Sequence, residues 1–326
     1  MTQSEKYDII GIGAAVVDHI ITVDEEYVSS LEGGKGGMVP VSYQTLSKIL
    51  DHFDGEATLM AGGSASNTIK GLANFGNRCA FMGKIGRDVT GHTFVESIKD
   101  LGIVPILHHS NTPTAHALSL VTPDGERTMR TYLGASEEMC SDDLDPSIFK
   151  GVKLVHLEGY NLLKGDLPEK AIALAKQNGA KVSLDLASYE IVNLHKERIL
   201  EIIRSSVDIV IANADEAWAL FGLPPEKSCH LLKNLCEISI VLFGEGGCWV
   251  GCDEEVIHGA PFPTHPVDST GAGDLFASGF LNAYLKGSPL QECARLGNLA
   301  GSAVVQVLGA EIPPLGWKKI KSTVLT

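Results

Sequence analysis

Pro266-Val267-Asp268-Ser269-Thr270-Gly271-Ala272-Gly273-Asp274-Leu275-Phe276-Ala277-Ser278-Gly279-Phe280 is the stretch on which the reading of this chain turns. A turn of small residues lets backbone N–H groups approach an anion closely. An amphipathic helix follows at once, with Leu275, Phe276, Phe280, Leu281 and Leu285 near helical spacing. Its N-terminus offers unpaired N–H donors and the positive end of the helix dipole, which attract phosphate. Asp274 puts a carboxylate in the first turn, placed to take a proton from an attacking hydroxyl. An ordinary helix start, capped by Thr270 or Asp274, would use the same residues for structure alone. The length of the string Asp-Ser-Thr-Gly-Ala-Gly-Asp-Leu-Phe-Ala-Ser-Gly-Phe favours the chemical reading.

That string resembles the signature of the ribokinase (PfkB) family of carbohydrate and nucleoside kinases, and the resemblance covers essentially the whole chain. In that family the Gly-Ala-Gly turn is an anion hole and the Asp after it is the catalytic base. The resemblance implies those roles for Gly271, Ala272, Gly273 and Asp274. It also implies a ribokinase-like three-layer α/β fold: a mostly parallel central sheet flanked by helices, with a small β-sheet lid.

A length of 326 residues is within the range of one large α/β domain, and we read 1–326 as a single unit. Hydrophobic residues make up 44%, enough for a sizeable core, and charged residues at 20% argue against disorder. A formal net charge of −14 disfavours nucleic acid or an anionic membrane surface as partner. A bound nucleotide would then rely on Mg²⁺ and local N–H groups. The seven cysteines form no Cys-x-x-Cys pair and no zinc-finger spacing, which fits reduced thiols. No signal peptide and no membrane-length apolar run appear, so the expectation is a cytoplasmic protein, monomer or homodimer.

The run Tyr7-Asp8-Ile9-Ile10-Gly11-Ile12-Gly13 suits a buried strand. Gly11-x-Gly13 is no dinucleotide fingerprint, because Val16 takes the third small position and the run stays strand-like through His19-Ile20-Ile21. Asp18 sets a charge in that apolar run and needs a reason. It is a strand-end Asp accepting backbone hydrogen bonds or, as the resemblance implies, a clamp on two substrate hydroxyls. Gly33-Gly34-Lys35-Gly36-Gly37 lacks the Ser or Thr of a P-loop and reads as a flexible turn before a helix over 42–52. Gly62-Gly63-Ser64-Ala65-Ser66-Asn67 opens a helix running to about Phe75. Twin glycines permit close approach to a ligand, and Asn67 carries donors and acceptors for a polyol. A plain strand-to-helix turn capped by Ser64 also fits. The family carries Gly-Gly-x-x-x-Asn here against the sugar, which implies substrate contacts for Gly62, Gly63 and Asn67. Gly-Gly-Ser is closer to adenosine kinases than to ribokinase itself. Residues 83–91 match the family's first signature, a strand-to-helix turn.

Over 104–133 the period changes to alternation. Residues 117–122, the turn Pro123-Asp124-Gly125-Glu126, and 127–132 read as an antiparallel hairpin. The lid is expected from two segments, about 15–42 and 103–134, and would exclude water from a phosphoryl transfer. Arg130 either meets a phosphate there or stands exposed. Strands at 153–158, 181–185, 208–211 and 238–243 then alternate with helices near 167–177, 187–205, 214–221, 227–235, 271–285 and 289–308. That is a parallel sheet with crossover helices.

Asn213-Ala214-Asp215-Glu216 follows the third of those strands. Amide and carboxylate one helical turn apart suit a hydrated Mg²⁺ and nucleotide phosphates; they also suit a capping box. The resemblance implies Glu216 for Mg²⁺ and Asn213 for the nucleotide. It likewise implies ATP contacts for Gly244 and Gly247, with Leu242 standing where the family usually has Thr, and a place for Asn298 near the adenine. A monovalent cation (K⁺) near Asp268, Thr270 and Gly309 is implied in the same way. The activity implied is an ATP-dependent transfer of the γ-phosphoryl group to the 5′-hydroxyl of a nucleoside such as adenosine. Aliphatic Ile20 and Val41, in the long segment between Asp18 and Gly62, suit the apolar slot a base wants. The alternative is a kinase of free monosaccharides. A non-catalytic nucleotide- or sugar-binding regulator is disfavoured by intact Asp274, Gly271, Gly273 and Glu216.

Overall fold

The computed structural model describes residues 7–35, 38–53, 57–124 and 127–324. Strand β1 (Ile9–Ile12) is buried at every position, as befits the middle of a sheet covered on both faces. The chain then crosses into a second, five-stranded sheet with β2 (Val16–Thr22), β3 (Met38–Pro40) and β4 (Thr58–Gly62). Helices α1 (Glu25–Ser30) and α2 (Tyr43–His52) lie between these strands, each started by a capping side chain: Asp24 accepts from Tyr27 N, and Ser42 from Thr45 N. After α3 (Ser64–Asn74) the chain returns to the first sheet with β5 (Cys79–Gly86), α4 (Val89–Asp100) and β6 (Val104–Ser110). The hairpin β7 (Ala115–Val121) and β8 (Arg127–Tyr132) completes the small sheet in the order β3-β8-β7-β2-β4.

The remaining strands build outward on the far side of β1. They are β9 (Leu154–Glu158), β10 (Lys181–Asp185), β11 (Ile209–Asn213) and β12 (Ile238–Leu242), all parallel, then the antiparallel pair β13 (Cys248–Cys252) and β14 (Glu255–Gly259). The chain therefore leaves β1 toward β5 and resumes at β9 on the other flank. Parallel sheets hold ligands beyond the C-terminal strand ends at such a reversal.

Alternation along the strands feeds two cores. Ile9, Leu154 and Ile209 pack against α3, α4, α9 (Ala272–Leu285), α10 (Leu290–Val304) and α11 (Pro314–Val324). Ile10, Val155 and Val210 pack against α5 (Leu167–Gln177), α6 (Tyr189–Ser206), α7 (Ala214–Phe221) and α8 (Pro225–Leu232). The small sheet buries one face, with Ile21, Leu118 and Leu120, under Val28 of α1 and Leu46 and Ile49 of α2. Its other face carries Val16, Asp18, Ala117, Met129 and Thr131 toward a cavity.

The expected lid segments are corrected in two places. Val104–Ser110 is in register with β5, from Ala80↔Val104 to Gly86↔Ser110, so this part of 103–134 belongs to the large sheet. Conversely Thr58–Gly62, outside both expected segments, pairs antiparallel with β2 and forms an edge of the small sheet. Gly36 and Gly37 of the glycine-rich turn, and Gly125 and Glu126 of the hairpin turn, lie outside the described residues. Among the described residues no helix is long and apolar enough to cross a membrane.

Candidate active site

A cavity of about 450 Å³ lies between the C-terminal ends of β1, β9, β10, β11 and β12 and the inner face of the small sheet. The anion turn forms one wall. Gly271 starts α9 with φ of 75°, a left-handed conformation, and no side chain caps the helix. The N–H of Ala272 turns back to Ser269 O at 3.2 Å, while those of Gly273 and Asp274 have no carbonyl of their own helix to reach. A Cβ built on Gly273 would meet only Leu242 Cδ1, 3.9 Å away. Packing within the chain therefore does not require glycine at 273. The space beside its backbone is open.

Asp274 sits across from α3. Its Oδ1 accepts from Ser64 Oγ at 2.8 Å and its Oδ2 from Asn67 Nδ2 at 3.0 Å. Burial pushes its carboxyl up to about 6, against the opposing pull of those two hydrogen bonds. Asn67 is buried, and its Oδ1 has no hydrogen-bond partner. Asp18 reaches the same cavity from β2, and burial raises its carboxyl to about 6 as well. Gly62 is small because of it: a Cβ there would lie 2.2 Å from Asp18 Oδ2. At Gly63 a Cβ would fall 2.2 Å from Ala14 O, so the α3 start can press against the turn after β1 only without a side chain. The structure thus brings Asp18, Gly63, Asn67 and Asp274 together on the cavity wall, with Gly62 packed behind Asp18.

Part of the wall is acidic. Asn213 and Glu216 form the reciprocal cap that the sequence allowed: Glu216 N donates to Asn213 Oδ1 at 2.9 Å, and Asn213 N and Nδ2 donate to the two Glu216 oxygens at 2.8 and 2.7 Å. Glu216 is nonetheless on the cavity wall, with its carboxyl pushed up to about 7 by burial, and with Asp215 and Asp274 adding to the rise. Asp185, at the end of β10, is raised by burial and then by Glu216 and Asp274. Gly244 and Gly247 make a short turn after β12, closed by Gly247 N to Gly244 O at 3.0 Å. Asn298 on α10 engages Nδ2 with the carbonyls of Gly259 and Ala260 at 3.1 and 3.0 Å, fixing the chain after β14. None of these last three lines the cavity itself.

Arg130 is a correction. Along β8, residues 127, 129 and 131 point to the cavity face, so strand alternation sends 130 to the opposite face. Its side chain is 1% exposed, and its guanidinium donates to the carbonyls of Glu32 at 2.6 Å, Gly34 at 2.9 Å and Met129 at 3.0 Å. It ties down the loop before β3, on the face of the small sheet away from the cavity. Arg130→Met is expected to lower stability by roughly 2–4 kcal/mol, through orphaned carbonyls, while leaving KM for ATP unchanged. Denaturant unfolding and steady-state kinetics check this; a KM for ATP raised tenfold at unchanged stability would restore the phosphate contact.

Arg127, on the opposite face of β8 from Arg130, has a structural role instead. It donates to Asp268 Oδ2 at 2.5 Å, to Ser119 Oγ at 2.7 Å and to Thr270 Oγ1, joining the small sheet to the approach of the anion turn. Glu158 was also missed. It is 1% exposed and accepts from Ala14 N at 2.8 Å and Ala65 N at 2.9 Å, locking the turn after β1 to the start of α3. Glu158 and Asp185 had a signal in the sequence: each is a carboxylate ending an apolar parallel strand.

Residues 51–316 match the model of the pfkB family of carbohydrate kinases. A probable sugar kinase from Rhizobium etli superposes with a TM-score of 0.89 at 31% identity, covering 98% of this chain and 99% of that one. The adenosine kinase from Sinorhizobium meliloti gives a TM-score of 0.87 at 33% identity over 98% and 99% of the two chains. A ribokinase from Arabidopsis thaliana is 28% identical over 283 residues, 80% of this chain and 70% of its own.

Proposed function

Because this chain belongs to the pfkB family of carbohydrate kinases, phosphotransferases with an alcohol as acceptor, we propose that it phosphorylates the 5′-hydroxyl of a nucleoside. Membership implies ATP as donor. The observation that carries the reading is the pair of acceptors beside Asp274. Asn67 Oδ1 is buried without a donor, and the part-buried Asp18 carboxylate faces the same cavity. Acceptors of this kind call for donors, and two ribose hydroxyls would supply them. Apolar Val16, Met38, Ala117, Met129 and Leu133 line the lid side of the cavity, which suits a base better than a free sugar. The adenosine kinase from Sinorhizobium meliloti points the same way. A free monosaccharide is the second reading, favoured by the likeness to the probable sugar kinase and to ribokinase.

In this reading the chain is one kinase unit with the small sheet as its lid. Asp18 and Asn67 hold the acceptor so that its reactive hydroxyl reaches Asp274. Asp274 takes the hydroxyl proton, the freed oxygen bonds to the γ-phosphorus, and the bond to the β-bridging oxygen breaks to release ADP. N–H groups of Gly273 and Asp274, with the α9 dipole behind them, stabilise charge on the transferring oxygens. The Gly244–Gly247 turn, Asn213 and Asn298 frame the nucleotide end. Asp185 and Glu216, two carboxylates on the cavity wall raised chiefly by burial, would hold through water the Mg²⁺ that screens the ATP phosphates. The loop pinned by Val267 N and Asp268 N on Val305 O, with Gly309 N on Asp268, is where a monovalent cation would act. Cys79, Cys229, Cys248 and Cys293 are buried free thiols, in keeping with a cytoplasmic protein.

The pH dependence follows from the two aspartates. Each titrates near 6, above the usual carboxylate range, and each works only when ionised: Asp274 as base, Asp18 as acceptor. Activity is therefore present above that pH and lost as pH falls through it. kcat/KM should fall as pH drops through about 7 and then 6, where Glu216 and the two aspartates lose their charge, and the fall should be shallower in Asp18→Asn. A profile flat through that region would contradict the assignment.

A further inference from the structure

Lys164 follows the short turn Gly159–Leu163 after β9 and lines the cavity beside Tyr160 and Leu163. Among the described residues its ammonium makes one hydrogen bond, a long one of 3.4 Å to Asn161 Oδ1. Asn161 cannot swing toward it, because its Nδ2 is fixed on Ile12 O at 2.7 Å. An ammonium carries three donors, so two are left without a partner among the described residues, on a side chain that lines the cavity. The acidic groups that face it are Glu158, whose two oxygens are already engaged by Ala14 N and Ala65 N, and Glu137, at the foot of the lid strand β8. Glu158 also accepts from the start of α3, which carries Asn67, so Lys164 lies near the groups that would hold the acceptor. Desolvation lowers its basicity, with Glu158 and Glu137 partly offsetting that effect. A cation held in a partly dry pocket with open donors is built for an acceptor atom on a ligand.

We propose that Lys164 donates a hydrogen bond to a ring nitrogen or carbonyl oxygen of the acceptor's nucleobase, and so selects nucleosides over free sugars. This rests on the nucleoside reading above. Val16, Met38, Ala117 and Met129 give the base faces an apolar slot, and Lys164 reads its edge at the cavity wall. A sugar acid would offer the same ammonium a carboxylate, and it forms a separate arm of the test.

The test is steady-state kinetics of the full chain, unsubstituted and with Lys164→Met or Lys164→Gln. Acceptors are adenosine, its 1-deaza, 3-deaza and 7-deaza analogues, ribose and ribonate. Lys164→Met should raise KM for adenosine about tenfold or more, with kcat and KM for ATP little changed, and Lys164→Gln, keeping one donor, should lie between. One deaza analogue should show the same loss with the unsubstituted protein and no further loss with Lys164→Met, while ribose kinetics stay unchanged. An unchanged KM for adenosine, or equal losses on ribose, would overturn the assignment. So would ribonate emerging as the acceptor whose turnover depends on Lys164. The ATP-induced shift in thermal unfolding identifies a variant that has failed to fold; Lys164→Gln then carries the test. If the unsubstituted protein phosphorylates ribose but no nucleoside, the nucleoside reading itself fails; if it phosphorylates adenosine and Lys164→Met changes nothing, only the role of Lys164 does.

Discussion

Asp274→Asn is expected to lower kcat by about 10²–10⁴-fold while KM for the acceptor barely moves. Asparagine has nearly the same shape and can still accept from Ser64 or Asn67, so the α3–α9 contact survives. What it lacks is a site for the hydroxyl proton. Asp18→Asn fails differently. The base remains, but charge-assisted hydrogen bonds to two hydroxyls weaken, each about 1.5–3 kcal/mol. The loss should therefore appear in KM and in discrimination against a 2′-deoxy substrate. If Asp18→Asn crippled kcat and Asp274→Asn altered only KM, the two roles would be reversed.

Gly273→Val is expected to abolish turnover, by about 10²–10³-fold or more, without unfolding the protein. The separation is unusually clean because a Cβ at 273 meets nothing in the chain closer than Leu242 Cδ1 at 3.9 Å. The added methyls would occupy the space where a phosphoryl group meets the backbone. Gly271 makes the contrast: its φ is 75° and its Cβ would lie 2.6 Å from that of Ala310, so Gly271→Val should also destabilise the fold. Thermal unfolding and ADP release, measured on both variants, distinguish them. Near-normal turnover of Gly273→Val would reduce the Gly-Ala-Gly turn to a plain helix start.

Much of this was legible in the sequence because periodicity and punctuation agreed. The strands ending at Glu158 and Asp185, and the helix over Leu167–Gln177, appear where the pattern placed them. Asp18, Asn67 and Asp274 converge as their motifs implied. The failures share one cause, which is pairing between distant segments. Thr58–Gly62 is a small-sheet strand because it pairs with β2, and Val104–Ser110 is not one because it pairs with β5. Neither choice is written locally. Arg130 was misplaced for want of the strand's parity, since one residue of register exchanges the faces that Arg127 and Arg130 present. Lys164 carries no motif. Only the fold brings it to the cavity wall with a single long hydrogen bond among the described residues.

We propose phosphoryl transfer from ATP to a nucleoside hydroxyl with Asp274 as base. It is tested most directly by incubating the protein with ATP, Mg²⁺ and adenosine, and identifying products by mass and ³¹P spectra. Nucleoside 5′-monophosphate should form in step with ADP, and neither should accumulate with Asp274→Asn. ADP released without a phosphorylated nucleoside, or a monophosphate still formed at the full rate by Asp274→Asn, would contradict the account.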